Sequence, residues 1–246
     1  MDGIANPEPI FLTAEWRHLA MLNYEVEAAA LAPHVPAGTE LDRWDGRALV
    51  SVVGFQFLQT RVRGWPIPFH RHFEEVNLRF YVRRRAAEGW RRGVVFLKEI
   101  VPRAAIAWTA QKFYNEPYVA WPMRHEIRTT NGQVSGVTYA WEAYRCWHSL
   151  RLETAGAFQP LAAGSEAEFI TEHYWGYNRQ RNGSTLEYQV EHPCWRVVAA
   201  SLAKLDCDIA AVYGAAFRAS LAGPPISAFL AEGSTIVVRR GLKITS

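Results

Sequence analysis

The chain of 246 residues has 27 basic and 24 acidic side chains, a formal net charge of +3, and 49% of its residues are hydrophobic. A charge this small does not require a nucleic-acid partner. The sequence has no uninterrupted apolar window of about 18 residues and no basic, apolar leader, so neither a membrane partner nor secretion is expected. Length and apolar content are typical of β-rich single domains, and we expect one cytoplasmic domain over residues 1–246.

Most of the predicted elements are strands. Asp-Gly at residues 45–46 and Asn-Gly at residues 131–132 and 182–183 are turn signals, and each predicts a hairpin. Gly54, inside the first predicted strand, indicates a bulge or a bend. In chain order, the predicted strands cover residues 48–58, 73–84, 93–100, 137–148, 185–191, 195–200 and 234–239.

Three helices are predicted among these strands. The clearest begins at Ser165, which forms a capping box with Glu168 in front of an apolar face. Another begins near Pro102, a residue suited to a first turn, and Pro117 prevents it from continuing. Many strands with few helices predict an α+β fold with a barrel or sandwich. The helices cover residues 102–113, 165–174 and 208–219.

The segment EEVNLRFYV, residues 74–82, alternates apolar and polar side chains. In a strand, each set occupies its own face. The polar face either meets solvent or lines a cavity, and the spacing alone favours neither. A carboxylate beside a guanidinium inside a cavity can bind a small polar ligand. The polar row consists of Glu75, Asn77, Arg79 and Tyr81.

The segment KFYNEPYVAWPM, residues 112–123, places polar groups where a predicted helix ends. Loops at the ends of regular elements often contain binding groups. Tyr114 and Tyr118 offer hydroxyl groups on apolar rings, and Glu116 adds a carboxylate. The alternative is a helix stop with packed tyrosines.

The segment HRHFE contains side chains of the metal-ligand types. His70, His72 and Glu74 share one face of an extended segment. Short His-x-His pairs are frequent by chance, so no metal is expected, although a metal-dependent enzyme using these three residues stays an alternative. No phosphate loop, dinucleotide fingerprint or nucleophile elbow is present, and no cofactor is expected.

Two further groups of polar residues favour structural roles. Glu99 and Arg103 lie on either side of the strand-to-helix junction at Pro102, where junction charges usually form capping or pairing contacts. The alternative is a carboxylate and a guanidinium that face the mouth of the cavity. His192, which precedes a proline at a predicted strand end, is expected to be a packed, hydrogen-bonded side chain.

Four segments together resemble the YqjF-like family of the acetoacetate decarboxylase-like superfamily. The resemblance covers the chain from about Trp16 to Trp195. It implies a mostly antiparallel, curled β-barrel or cone with a few flanking helices, enclosing a cavity, and it moves the polar row toward the cavity side. The segments are EVNLRFYV, GVVFLKEIVPRAAIAWTAQKFYNEPY, GSEAEFITEHYWGYN and YQVEHPCWRV.

The sequence departs from the decarboxylase at two adjacent positions that matter for its chemistry. Acetoacetate decarboxylase forms a Schiff base through a lysine that has a second lysine beside it. Here Tyr118 and Val119 stand at the matching positions, after Pro117, and a phenol cannot replace the amine. Lys98 and Lys112 are the only lysines near enough in sequence to substitute.

These observations predict a cavity that binds a small polar or carbonyl-bearing metabolite, with an enolisation, hydration or lyase-type reaction if the protein is an enzyme. Self-association into a homo-oligomer stays open, and a non-catalytic ligand-sensing protein is the alternative. As catalytic residues, Arg79 is expected to hold an anionic or carbonyl oxygen of the ligand, Glu75 to act as general base or hydrogen-bond acceptor, and Tyr118 to donate a hydrogen bond. The predicted ligand-binding residues are Asn77, Tyr81, Tyr114 and Glu116.

Overall fold

The computed structural model describes residues 8–67, 70–105, 107 and 115–244, and strands dominate them. The fold is therefore a mostly-sheet α+β fold with few helices. The strands are β1 (Ile10–Glu25), β2 (Glu40–Leu41), β3 (Leu49–Val62), β4 (Trp65–Pro66), β5 (Phe73–Ala86), β6 (Gly89–Val101), β7 (Tyr118–Ala120), β8 (Met123–Thr130), β9 (Gln133–Ala143), β10 (Cys146–Thr154), β11 (Trp175–Arg179), β12 (Thr185–Glu191), β13 (Val197–Asp206), β14 (Ser227–Arg239) and β15 (Leu242–Ile244).

The helices in the described part of the chain are short. They are α1 (Ala28–Leu31), α2 (Glu166–Thr171), α3 (Ile209–Tyr213) and α4 (Arg218–Leu221), with 3-10 turns at Ala32–His34 and Ala215–Phe217. No helix among the described residues has the length and apolar character needed to cross a membrane.

Local hydrogen bonds determine where these helices begin and end. Ser165 Oγ accepts a hydrogen bond from the Glu168 amide, 3.1 Å away, and caps α2 as predicted. Asp208 caps α3 in the same way, but Gly214, with a φ of 101°, ends it, so the helix predicted over residues 208–219 is broken in two. Most of the helix predicted over residues 102–113 lies outside the described residues.

The strands pair in the order β15-β12-β11-β6-β5-β3-β1-β14-β13-β10-β9-β8, and most neighbours are antiparallel. The exceptions are β7 and β11, which both run parallel to β6. An additional pairing joins β12 to β14, so the path from β12 through β5 and β1 to β14 returns to its starting strand.

The hairpin predictions succeed where the turn joins two strands. The turns at residues 131–132 and 182–183 connect β8 to β9 and β11 to β12. The turn at residues 45–46 closes only an isolated bridge. The strand predicted over residues 137–148 is wrong, because Tyr144 and Arg145 adopt positive φ values and turn the chain from β9 into β10. This turn has none of the Gly, Asn or Asp residues that signal it.

Gly54 marks a close contact within the core. A Cβ atom built at Gly54 would lie 2.6 Å from Cδ2 of Tyr139 in β9. The register between β1 and β3 shifts directly opposite, between Arg17 and Ala20, and Tyr139 donates a hydrogen bond to the His18 carbonyl of this bulge. The absence of a side chain at Gly54 therefore lets Tyr139 of β9 pack against β3.

Candidate functional site

The polar face of β5 lines a cavity of about 210 Å³. Glu75 and Asn77 are each only 2% exposed and Arg79 is 9% exposed, while Val76 and Leu78 point into the core on the opposite face. The predicted row therefore faces inward and does not meet bulk solvent. Glu75, Asn77 and Arg79 all contribute to the cavity wall.

Glu75 is held by two hydrogen bonds. Asn77 Nδ2 donates to its Oε1 over 2.9 Å, and the Tyr118 hydroxyl donates to its Oε2 over 3.0 Å. Tyr118 reaches this position because β7 runs parallel to β6, with Tyr118 beside Glu99, and Glu99 in turn pairs with Asn77 of β5. The pairing of β5, β6 and β7 thus places the Tyr118 phenol of β7 beside the Glu75 carboxylate and the Asn77 amide of β5.

Two further carboxyl groups line the same cavity. Glu99, on β6, is 1% exposed. Glu116 precedes β7 and accepts a hydrogen bond from the Tyr188 hydroxyl. The expectation that Glu99 pairs with Arg103 at the strand end is wrong, since Glu99 points into the cavity and Arg103 is exposed. The alternative, in which Glu99 faces the cavity, holds for this residue, because the pairing of β6 with β5 and β7 places it in the wall.

Burial and mutual repulsion shift the pKa values of these acids upward. Burial raises the pKa of Glu75 to about 7, although Asn77, Tyr118 and Arg79 oppose the shift. Burial also raises the pKa of Glu116 to about 7. The pKa of Glu99 lies well above its ordinary value, first because of burial and then because of Glu116 and Glu75. A carboxyl group with a pKa near 7 can both accept and donate a proton at neutral pH.

Arg79 supplies a positive charge elsewhere on the wall. Its Nη2 donates to the carbonyl oxygen of Ile170, at 3.3 Å, and lies 4.0 Å from the sulfur of Met21. Its Nε has no hydrogen-bond partner among the described residues. Arg79 and Glu75 face one cavity without forming an ion pair within 4.0 Å.

A histidine that sequence reasoning did not single out also lines the cavity. His173 follows α2, and its Nε2 lies 3.4 Å from Oδ2 of Asp42, which also accepts a hydrogen bond from Arg92. Burial lowers the pKa of His173 to about 4, so its ring is neutral at pH 7. Burial alone would raise the pKa of Asp42, but His173 and Arg92 hold it below its ordinary value.

Two of the predicted ligand-binding residues do not contribute to the described cavity wall. Tyr81 is fully buried, its hydroxyl lies 2.5 Å from Ser51 Oγ, and its ring packs against His173 and Phe169. It therefore supports the wall from behind. Tyr114 lies outside the described residues.

The residues considered as metal ligands separate in the structure. Glu74 Oε1 lies 2.6 Å from Nδ1 of His125, and the Gln59 amide donates to Nδ1 of His72. His70 lies at the cavity wall instead. The described residues contain no group of three or more side chains placed to hold a metal ion.

No lysine occurs in the part of the cavity wall formed by described residues. Lys98 lies next to Glu99 in β6 and therefore points to the other side, where its Nζ lies 5.4 Å from the centre of the Trp121 ring. Lys112 is outside the described residues.

Aromatic side chains form much of the remaining wall. His192, predicted to be packed, stacks on Trp195 with ring centres 4.2 Å apart. The stack belongs to the wall, together with Trp16, Phe55, Phe57, Phe73 and Trp175. An apolar wall of this kind lowers the local dielectric and thereby increases the strength of electrostatic interactions beside it.

The arrangement of strands is that of acetoacetate decarboxylase-like enzymes. The enduracididine biosynthesis enzyme MppR, complexed with the condensation product of pyruvate and imidazole 4-carboxaldehyde, superposes with a TM-score of 0.67, covering 96% of this chain and 89% of MppR at 11% identity. Acetoacetate decarboxylase from Legionella pneumophila superposes with a TM-score of 0.64, covering 100% of this chain and 92% of that enzyme at 11% identity. These low identities establish the fold alone.

Sequence comparison then identifies the family. The chain belongs to the DUF2071 family of uncharacterized conserved proteins, whose model matches residues 13–235. It is 27% identical over 199 residues to the uncharacterized protein YqjF of Bacillus subtilis strain 168, covering 78% of this chain and 77% of YqjF. The family match extends beyond Trp195, where the resemblance seen in the sequence ended.

Proposed function

We propose that this protein is an acid–base enzyme that binds a small carbonyl-bearing metabolite in the cavity and catalyses its enolisation or a related lyase-type step. Glu75 removes a proton from the carbon next to the carbonyl group. Arg79 stabilises the negative charge that develops on the carbonyl oxygen. Tyr118 keeps Glu75 oriented through its hydrogen bond, and Asn77 orients the ligand.

The observation that carries this proposal is a buried carboxyl group poised near neutrality. Glu75 faces the cavity, and its pKa of about 7 matches the working range of a general base. The Tyr118 hydroxyl lies 3.0 Å from its Oε2, so the side chain is held in one orientation. Arg79 lies on the same strand and supplies the complementary charge.

The reaction proposed here needs no imine. Schiff-base chemistry requires an amine with a lowered pKa, and the described wall contains no lysine. A ligand with a carbonyl group is in keeping with MppR, a protein of the same fold that is complexed with a condensation product of pyruvate. Direct proton transfer by Glu75 provides a route to an enolate without a covalent intermediate.

We also propose that residues 1–246 form a single domain in which the strands from β12 to β14 close into a barrel around the cavity. The pairing of β12 with β14 supports this closure. Residues from β3, β5, β6, β12 and β14 all contribute to the wall.

Isotope exchange tests the proposed reaction. Protons next to a carbonyl group exchange with D₂O when an enzyme catalyses enolisation, and ¹H NMR follows the loss of signal. We expect the protein to accelerate this exchange in 2-oxobutanoate or butanone. Glu75→Gln should slow the exchange by about 100-fold to 10,000-fold, the usual contribution of a general base.

Glu74→Gln is the matched control. Glu74 is the adjacent residue but bonds to His125 on the other side of the strand, so its replacement should leave the exchange rate unchanged. Equal rates in the native protein and Glu75→Gln would refute the mechanism. If neither compound exchanges, while small molecules copurify with the native protein and not with Arg79→Ala, the cavity is a non-catalytic binding site.

A further inference from the structure

The acidic side of the cavity contains two buried oxygen atoms without a hydrogen-bond partner among the described residues. They are Oε2 of Glu99 and Oδ1 of Asn77. Both side chains line the cavity and are at least 98% buried. Buried acceptors without a donor are costly, so a ligand that brings N–H groups to this side would relieve the cost.

The same side brings three carboxyl groups together without a described cation beside them. In addition to burial, Glu116 and Glu75 raise the pKa of Glu99, Glu75 raises the pKa of Glu116, and none of the three forms an ion pair with a described cation within 4.0 Å. Arg79 is turned toward Ile170 and Met21. A positive charge placed beside Glu99 would favour the ionised forms of these carboxyl groups, so a bound cation would replace the protons that burial keeps on them.

We propose that the metabolite also has a nitrogen cation, a guanidinium or a primary ammonium, which binds against Glu99 and Glu116. This inference rests on the proposed function only in taking the cavity as the ligand site, and it narrows the substrate class to carbonyl compounds with a cationic end. The carbonyl end lies toward Arg79, so the two ends of the ligand meet opposite charges.

A guanidinium fits the unpaired acceptors well. It is planar and has five N–H donors in a fixed fork, so one group can donate to Glu99 Oε2 and to Asn77 Oδ1 together. Its weak hydration also lowers the cost of entering an aromatic cavity.

The test uses two probes of equal shape, propylguanidinium and its uncharged counterpart propylurea. Isothermal titration should show that the native protein binds propylguanidinium about tenfold tighter than propylurea, or more. Glu99→Gln preserves the size of the side chain and should weaken propylguanidinium binding about tenfold. Glu116→Gln should act in the same direction, while the control Glu74→Gln should not change the affinity.

Thermal unfolding of each variant shows whether it is folded, and either Glu99→Gln or Glu116→Gln suffices for the test. The proposal is overturned if propylurea binds as tightly as propylguanidinium, if neither probe binds, or if both variants keep the native affinity. It is also overturned if propylguanidinium binds to Lys112→Met but not to the native protein, because the cation at the proposed site would then be a side chain of the protein and not part of the ligand.

The two proposals fail in different ways. If butanone exchanges its protons with D₂O in a reaction that depends on Glu75, but propylguanidinium does not bind selectively, the cation site is refuted and the proposed reaction is retained. If propylguanidinium binds selectively but no isotope exchange occurs, the cation site is supported and the proposed reaction is refuted.

Discussion

At the scale of single residues, burial determines the chemistry of the cavity. Glu74 and Glu75 are adjacent, yet their pKa values shift in opposite directions. A hydrogen bond with His125 lowers the pKa of Glu74, whereas burial raises the pKa of Glu75 to about 7. Because successive side chains of a strand face opposite sides, one neighbour becomes a hydrogen-bonded structural group and the other a candidate general base.

The raised pKa of Glu75 predicts a pH-dependent difference in stability. Between pH 4.5 and 7 the folded chain keeps a proton on Glu75 that the unfolded chain releases, so the native protein loses stability as the pH rises. Glu75→Gln lacks this loss. Its free energy of unfolding, relative to the native protein, should rise by up to roughly 3 kcal/mol over this window.

Urea unfolding at pH 4.5, 6 and 7.5 measures this difference. Glu74→Gln should show no such rise, because the pKa of Glu74 is lowered in the folded chain, so any change in its difference from the native protein occurs near pH 4.5 and has the opposite sign. A flat difference between Glu75→Gln and the native protein would show that Glu75 titrates normally.

At the scale of elements, the position of β9 depends on an absent side chain. Gly54 of β3 leaves room for the Tyr139 ring, and the Tyr139 hydroxyl bonds to the bulge in β1 at His18, whose φ is 55°. The glycine, the ring and the bulge therefore form one unit that joins three strands. This unit packs β9 behind the strands that form the cavity wall.

Gly54→Ala should destabilise the fold. Its Cβ would lie 2.6 Å from the Tyr139 ring, and overpacking of this kind costs about 1–3 kcal/mol of unfolding free energy. Gly223→Ala is the control, since a Cβ there meets no atom within 4 Å and should change stability by less than about 0.5 kcal/mol. Chemical denaturation compares the two variants, and equal stabilities would contradict the role given to Gly54.

At the scale of the whole molecule, ion pairs reinforce the strand path where backbone pairing is shortest. Only two residue pairs join β6 to β11, and two join β12 to β14. Glu187 of β12, which is 4% exposed, bonds to Arg84 of β5 and Arg91 of β6. Arg239 of β14 bonds to Glu191 of β12. Ion pairs of side chains therefore connect β12 to β5 and β6 in one direction and to β14 in the other.

Glu187→Ala should weaken this connection strongly. Removing one partner from a buried ion pair leaves uncompensated charge and costs about 3 kcal/mol or more. Glu88 also bonds to Arg91 but is exposed, so Glu88→Ala should cost less than about 1 kcal/mol. Hydrogen exchange should show faster opening of β11 and β12 in Glu187→Ala, and unchanged protection there would refute this role.

Several features could be predicted from the sequence because they depend on neighbours along the chain. The period of two in β5 places Glu75, Asn77 and Arg79 on one face, whatever that face meets. The cap at Ser165 and the turn at residues 131–132 are also local, since each needs only a few consecutive residues. The segment resemblance indicated the family and a mostly-sheet α+β fold with few helices, and these are confirmed.

The tertiary structure alone decided which face of β5 lies inward and which residues join it. Glu99 enters the wall through strand pairing, and His173 arrives from the end of α2. Their neighbours are distant in sequence, so no local pattern reveals them. The raised pKa values have the same origin, because desolvation and repulsion depend on the enclosed space that forms only when the strands pair.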